Sequence, residues 1–312
     1  MFGVFKRRAA AQGRIGIAVG REHVAIAVVM RDADHLRLTR CEVLPVDPSA
    51  GPEAVAAIVR AAGLPRLPIS SVLRTEDYQL ALVEAPDVPP AELRAAMRWR
   101  LKDAIDFRVE DAVVDVFDVP AQNRGGHGRM MYAVAARRDA VDRCAAALAG
   151  APGFDVVDVP ELCLRNLASS LLGVAGGIAL LHLGEVAATV ILVRGTTFYF
   201  ARQMDLQAIQ RTAAGRDGGV TVDSTGIVLE LQRSLDYYER HFDQPPITRI
   251  AVTHCGPQAL ALTRDLKRDT GFEVTALDLN SVLQCAVPIA PDTQAACLMA
   301  VGAAMRVEHR SL

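Results

Sequence analysis

Along the chain, short runs that are apolar at nearly every position alternate with longer stretches whose apolar residues recur every three to four positions. The first kind, at 15–19, 24–30 and 36–43, is rich in Val and Ile and broken by brief polar turns, which predicts three consecutive strands. A helical period follows over about 52–62, then another strand at 69–73. The same order returns 164 residues on, with strands at 178–183, 188–193 and 197–201, and Gly20 and Gly184 at the equivalent first turns. Both first strands are apolar at nearly every position, as strands covered by helices on two faces are. The pattern therefore predicts two related α/β halves.

An insertion separates the first strands from their return near Phe154. It reads as a strand at 80–83, a helix opened by Pro89 and Pro90 and running to Asp106, strands at 112–119 and 130–136, and a helix over 138–149 ended by Gly150. The second half continues through a glycine-rich loop at 215–219, an amphipathic helix at 224–242, a strand at 247–253, the turn His254-Cys-Gly-Pro257, a helix to 270 and a strand at 273–277. A last helix over 293–307, apolar nearly all round, is expected between layers. These elements divide the chain into a basic tail (1–13), a first lobe (14–77 and 151–175, joined by a C-terminal helix at 292–308), an inserted α+β subdomain (78–150) and a second lobe (176–291).

Composition narrows the function classes. With 312 residues and 51% apolar content the chain can bury the core of about two domains, and disorder is excluded. Thirty-four Lys and Arg against 36 Asp and Glu leave a formal charge of −2, too little to draw the whole molecule onto nucleic acid. The six cysteines are scattered without a CxxC pair, which suggests neither a zinc ribbon nor a disulfide framework and fits the reducing cytoplasm. No HExxH or other paired spacing marks a metal site. The 19 uncharged residues from Asn166 to Gly184 reach the length of a membrane helix, but Gly173, Gly176 and Gly177 break the centre, so they read as a helix end, a turn and a buried strand.

Several segments together resemble one family. They are the opening Met-Phe-Gly-Val-Phe-Lys, Ile15-Gly-Ile-Ala-Val-Gly20, Tyr78-Gln-Leu-Ala-Leu-Val-Glu-Ala-Pro86 with Arg98-Trp-Arg100 and Asp106-Phe107, and Glu230-Leu-Gln-Arg-Ser-Leu-Asp-Tyr-Tyr238. The chain is similar over almost its whole length to PilM-like type IV pilus assembly proteins, in the branch serving the mannose-sensitive haemagglutinin (MSHA) pilus. The resemblance implies an α/β, actin-like, FtsA-related fold in two lobes, with a subdomain inserted in the first. It also implies a cytoplasmic component of an inner-membrane platform that binds the cytoplasmic tail of a PilN-like membrane protein in the cleft between insertion and first lobe.

In that fold two hairpins of Asp-x-Gly-Ser/Thr type hold the phosphates and metal of ATP. Here Ala18 stands two residues before Gly20, and Arg21, Glu22 and His23 follow it; His182 stands two before Gly184, and Glu185, Val186 and Ala187 follow. A carboxylate at Glu185 ~4 Å from a phosphate charge would repel it by about 4 kcal/mol in a partly dried site. Gly256 is the one glycine of the third turn, and Glu230 and Arg233 match the helix beside the base. The expectation is a degenerate ATPase without a cofactor. The alternatives are a switch that still binds ATP and Mg²⁺ through Gly20, Gly184 and Gly256, and a cytoplasmic part similar to the type II secretion protein GspL, which requires a membrane helix after the actin-like part.

Partner-binding candidates come from the helix at 89–106. Leu93, Met97, Leu101, Ala104 and Ile105 form its core stripe, and Trp99, two residues from Met97, lies about 200° round the helix beside Lys102, between Arg98 and Arg100. Trp99 is read either as an interface anchor or as a side chain packed between insertion and first lobe; both place it at the cleft. The N-terminal Lys6, Arg7, Arg8 and Arg14, with Phe2, Val4 and Phe5, either touch an anionic leaflet or platform partner or form a solvated tail. Asp103 with Asp106 and Asp115 with Asp118 read as surface charge, and His182 as a neutral core histidine.

Overall fold

A computed structural model describes residues 12–32, 35–122, 129–171, 176–184, 187–205, 224–253 and 257–307. Strand β1 (Gln12–Val19) is covered on both sides. Ile15 and Ile17 point into an apolar layer with Val55 and Val59 of α1 (Pro52–Ala61) and Ala147 at the end of α3 (Arg138–Ala147). On the opposite face, Gly16 admits α8 (Pro291–Ala304) so closely that a Cβ there would lie 1.8 Å from the Ala300 carbonyl oxygen. Gly302 does the same for α4 (Pro160–Leu171), where a Cβ would meet the Cys163 carbonyl oxygen at 2.5 Å. Absence of side-chain volume thus sets the spacing of strand to helix and helix to helix.

The two halves share one topology. In the first sheet β2 (His23–Asp32) pairs antiparallel with β1 and with β3 (His35–Pro45), while β4 (Ile69–Val72) and β8 (Phe154–Asp158) add in parallel, giving β3-β2-β1-β4-β8. In the second, β9 (Gly177–Leu183), β10 (Ala187–Arg194), β11 (Thr197–Asp205), β12 (Arg249–Thr253) and β13 (Glu273–Leu277) repeat it as β11-β10-β9-β12-β13. Helices α4 and α8 lie between the sheets, α1 and α3 cover the first from outside, and α5 (Ser224–His241) and α6 (Pro257–Thr270) cover the second. The insertion is a three-stranded antiparallel sheet, β5-β7-β6, made of β5 (Tyr78–Glu84), β6 (Ala112–Asp118) and β7 (Met130–Arg137). One face carries α2 (Pro90–Leu101) through Leu93, Met97 and Leu101. The other meets the second lobe, where the rings of Phe117 and Tyr132 stack at 5.3 Å and Phe198 of β11 packs edge-on at 5.5 and 5.4 Å.

The structure departs from the sequence reading in four places. Residues 138–149, assigned by pattern to the insertion, form α3, which bridges: Ala140 and Val141 pack with Tyr78 and Ala136 of the insertion, while Ala147 and Leu148 seal the first sheet beside α1. After the short helix α7 (Leu279–Val282), β14 (Gln284–Cys285) extends the first sheet beside β3, although the second lobe is expected to run to 291. Helix α2 stops at Leu101, and Ile105 packs on the insertion core from the turn that follows. Arg14, grouped by its charge with the basic tail, is 8% exposed and donates to Ser70 Oγ at 2.7 Å and Asp155 Oδ1 at 2.9 Å, because β1 starts at Gln12 and carries it inside. Lys6, Arg7, Arg8 and the loop at 215–219 lie outside the described residues. Among the described residues no helix is long and apolar enough to cross a membrane.

Candidate functional site

Two regions of the fold correspond to the sites expected from the sequence, a nucleotide site and a partner cleft. The first is the pair of hairpins at matching ends of the two sheets. Each is closed the same way: Gly20 N–H donates to the His23 carbonyl at 2.8 Å, and Gly184 N–H to the Ala187 carbonyl at 2.9 Å. A Cβ on Gly20 would come within 2.9 Å of His23 Cε1, so the imidazole occupies the space over this turn. Ala18 packs against the core shared by both lobes, and Arg21 reaches across the surface to Glu76 at 3.5 Å. His182 Nδ1 lies 3.0 Å from Thr253 Oγ1, and burial pushes its pKa down to about 4, so the ring is neutral at physiological pH. Glu230 of α5 is clamped by Arg202 of β11 at 2.7 Å and by Arg233. Glu185 and Gly256 lie outside the described residues. Among the described residues no cluster of three His, Cys, Asp or Glu side chains could hold a metal ion.

The second region is a cleft of about 670 Å³ between the insertion and the first lobe. Strand β6 forms one wall and β8 the other, and each is the outermost strand of its sheet. The turn Thr196–Thr197 of the second lobe and Arg306, just past α8, complete the lining. Its carboxylates are matched: Asp115 by Arg94 at 2.7 Å, Asp118 by Arg129, Asp155 by Arg14 at 2.9 Å and Asp158 by Arg306 at 2.7 Å. Arg165 of α4 also lines the cleft, and burial lowers the pKa of its guanidinium.

The predicted partner-binding residues fall elsewhere. Trp99 is 79% exposed, because the stripe of Leu93, Met97 and Leu101 takes one side of α2 to the sheet and the second lobe occupies the sheet's far face. It is therefore not packed between insertion and first lobe. Arg98 donates to the Ala112 carbonyl at 3.1 Å, Arg100 approaches Glu84 at 3.9 Å, and Lys102 is exposed at the helix end. From this helix it is Arg94, one turn earlier, that reaches the cleft. Sequence reasoning missed Arg94, Asp155, Asp158, Arg165 and Arg306. The available signal was slight: Arg165 is the last charge before the uncharged run at 166–184.

No family model matches the chain, and no curated protein matches it either. Solved structures do. A chain of the PilM–PilN type IV pilus biogenesis complex superposes with a TM-score of 0.65 at 19% identity, covering 94% of this chain and 99% of that one. A Bacteroides thetaiotaomicron protein with an actin-like ATPase fold gives 0.51 at 11% identity, with 95% and 99% covered. The cytoplasmic domain of EpsL of the Vibrio cholerae type II secretion system gives 0.45 at 16%, with 92% and 94% covered. Together with the strand order repeated in the two sheets, the first two of these likenesses establish an actin-like, PilM-like fold.

Proposed function

We propose that this chain is a non-catalytic scaffold of a type IV pilus inner-membrane platform, on its cytoplasmic side, and that it holds the cytoplasmic tail of a PilN-like membrane protein. The finer assignment is to the MSHA pilus, with a role like that of MshI. The observation that carries the reading is the cleft between β6 and β8. Among the described residues no strand pairs beyond β6 or β8 on these opposite walls, which suits an extended segment added strand-wise.

The nucleotide site does not fit its ligand. Ala18 and His182 stand where the fold places metal-side carboxylates, His182 is committed to Thr253, and the His23 ring fills the space over Gly20. No step is assigned to ATP. What the residues can do is bind, and an enzyme fold that keeps its architecture after losing its chemistry serves as a holder of partners.

The test is calorimetric titration with a synthetic peptide of the PilN-like protein's cytoplasmic tail. Micromolar binding, abolished by Asp158→Arg in the cleft and unchanged by the exposed Trp99→Ala, is the expected result. Loss on Trp99→Ala with retention in Asp158→Arg would move the site to the outer face of α2 and refute the cleft.

A further inference from the structure

The cleft's charges are balanced except at one residue. Asp115, Asp118, Asp155 and Asp158 each have an arginine in ion-pair contact, whereas Arg165 has a neutral hydrogen-bond partner and feels Asp158, already paired with Arg306, only beyond ion-pair distance: its Nε and Nη2 both donate to Asn166 Oδ1, at 3.2 and 2.8 Å. Asn166 is fixed in turn, since its Nδ2 donates to the Gly302 carbonyl at 2.9 Å where α4 and α8 touch. A guanidinium carries five N–H donors in a planar fork. Two are used here, and among the described residues no carboxylate lies within ion-pair distance of Arg165. A half-buried cation held in position by a neutral amide, with donors unused beside a cleft, is a preorganised receptor for a carboxylate.

Resting on the tail-holding reading, we propose that Arg165 selects the occupant of the cleft by pairing with an acidic side chain of an extended peptide. The neighbouring carboxylates do not repel such a ligand strongly, because each is neutralised by its own arginine. Strands β6 and β8 would hold the backbone of any extended segment alike; Arg165 adds the side-chain discrimination that main-chain pairing lacks.

The experiment is fluorescence anisotropy with labelled synthetic peptides of the PilN-like protein's cytoplasmic tail, in which each Asp or Glu is replaced in turn by Asn or Gln. They are titrated with the wild-type protein, Arg165→Gln and Arg165→Lys, each checked by its melting temperature. The expected result is one acidic position whose replacement weakens wild-type binding about 10- to 100-fold. Arg165→Gln should bind the parent peptide as weakly and be indifferent to that replacement, and Arg165→Lys, which keeps the charge without the fork, should fall between. Equal binding of the parent peptide by wild type and Arg165→Gln overturns the Arg165 assignment while leaving the tail reading intact. Failure of every peptide to bind the wild type overturns both. If Arg165→Gln melts early, the wild-type peptide series and Arg165→Lys still decide: no acidic position that matters, or full affinity in the lysine variant, overturns the proposal.

Discussion

At the scale of single residues, identity and environment separate cleanly. That Trp99 faces away from the core stripe of α2 follows from 100° per residue and needs no structure. That it faces solvent depends on what covers the far side of the insertion sheet, and there the aromatic contacts of Phe117 and Tyr132 with Phe198 take the second lobe. His182 is legible as a buried histidine from its apolar strand, but its Thr253 partner comes from β12, 71 residues on. The depressed pKa has a defined consequence. Between about pH 6.5 and 4 the unfolded chain binds a proton at this ring that the native state does not, so its contribution to stability is complete above the unfolded value and is lost as pH falls toward about 4. Urea unfolding of wild type and His182→Gln should differ by about 2–3 kcal/mol less at pH 4 than at pH 7. A pH-independent difference would mean that the ring is not held neutral.

At the scale of elements, local periodicity located nearly every strand and helix, because the alternation and the three-to-four spacing are properties of each segment alone. Partnership is not. Helix α3 follows the insertion's last strand directly, yet it closes the first sheet because Ala147 and Leu148 fit beside Ile15 and Val59. The C-terminal helix is apolar all round, which predicts burial without saying between what; Gly16 and Gly302 decide that by letting α8 approach β1 and α4 to backbone contact. Gly16→Ala places a methyl 1.8 Å from a carbonyl oxygen that cannot rotate away, so it should cost about 3 kcal/mol and raise hydrogen exchange across 291–304. Exchange confined to wild-type levels would place the docking elsewhere.

At the scale of the whole molecule, the repeat is visible in both descriptions. The 164-residue offset relating Gly20 to Gly184 in sequence becomes one five-strand order repeated in two sheets, the first extended by β14, and two hairpins closed by the same hydrogen bond. Three parts meet at Glu161 of α4, which accepts from Tyr78 of the insertion at 2.6 Å and from Gln203 of the second lobe at 2.7 Å. Burial raises the pKa of this carboxylate even with both partners in place. On the proposed scaffold reading, in which such contacts join the two lobes without ATP, millimolar Mg-ATP should leave the melting temperature unchanged. A rise of several degrees would mean that the hairpins still hold phosphate and would turn the scaffold into a switch.

The sequence by itself determined the strand and helix order, the duplication, the presence of an insertion and the placing of Ala18 and His182 before the two hairpin glycines, all of which are read from neighbouring positions. Tertiary structure alone decided which strands end up outermost, what the insertion leans on, and the cleft, whose Arg94, Asp158, Arg165, Thr197 and Arg306 come from five separate segments. Local pattern records how each segment hides its apolar face; it carries no record of which distant charge will stand opposite it. That is why the charge balance of the cleft, with Arg165 left over, became readable only once the chain was folded.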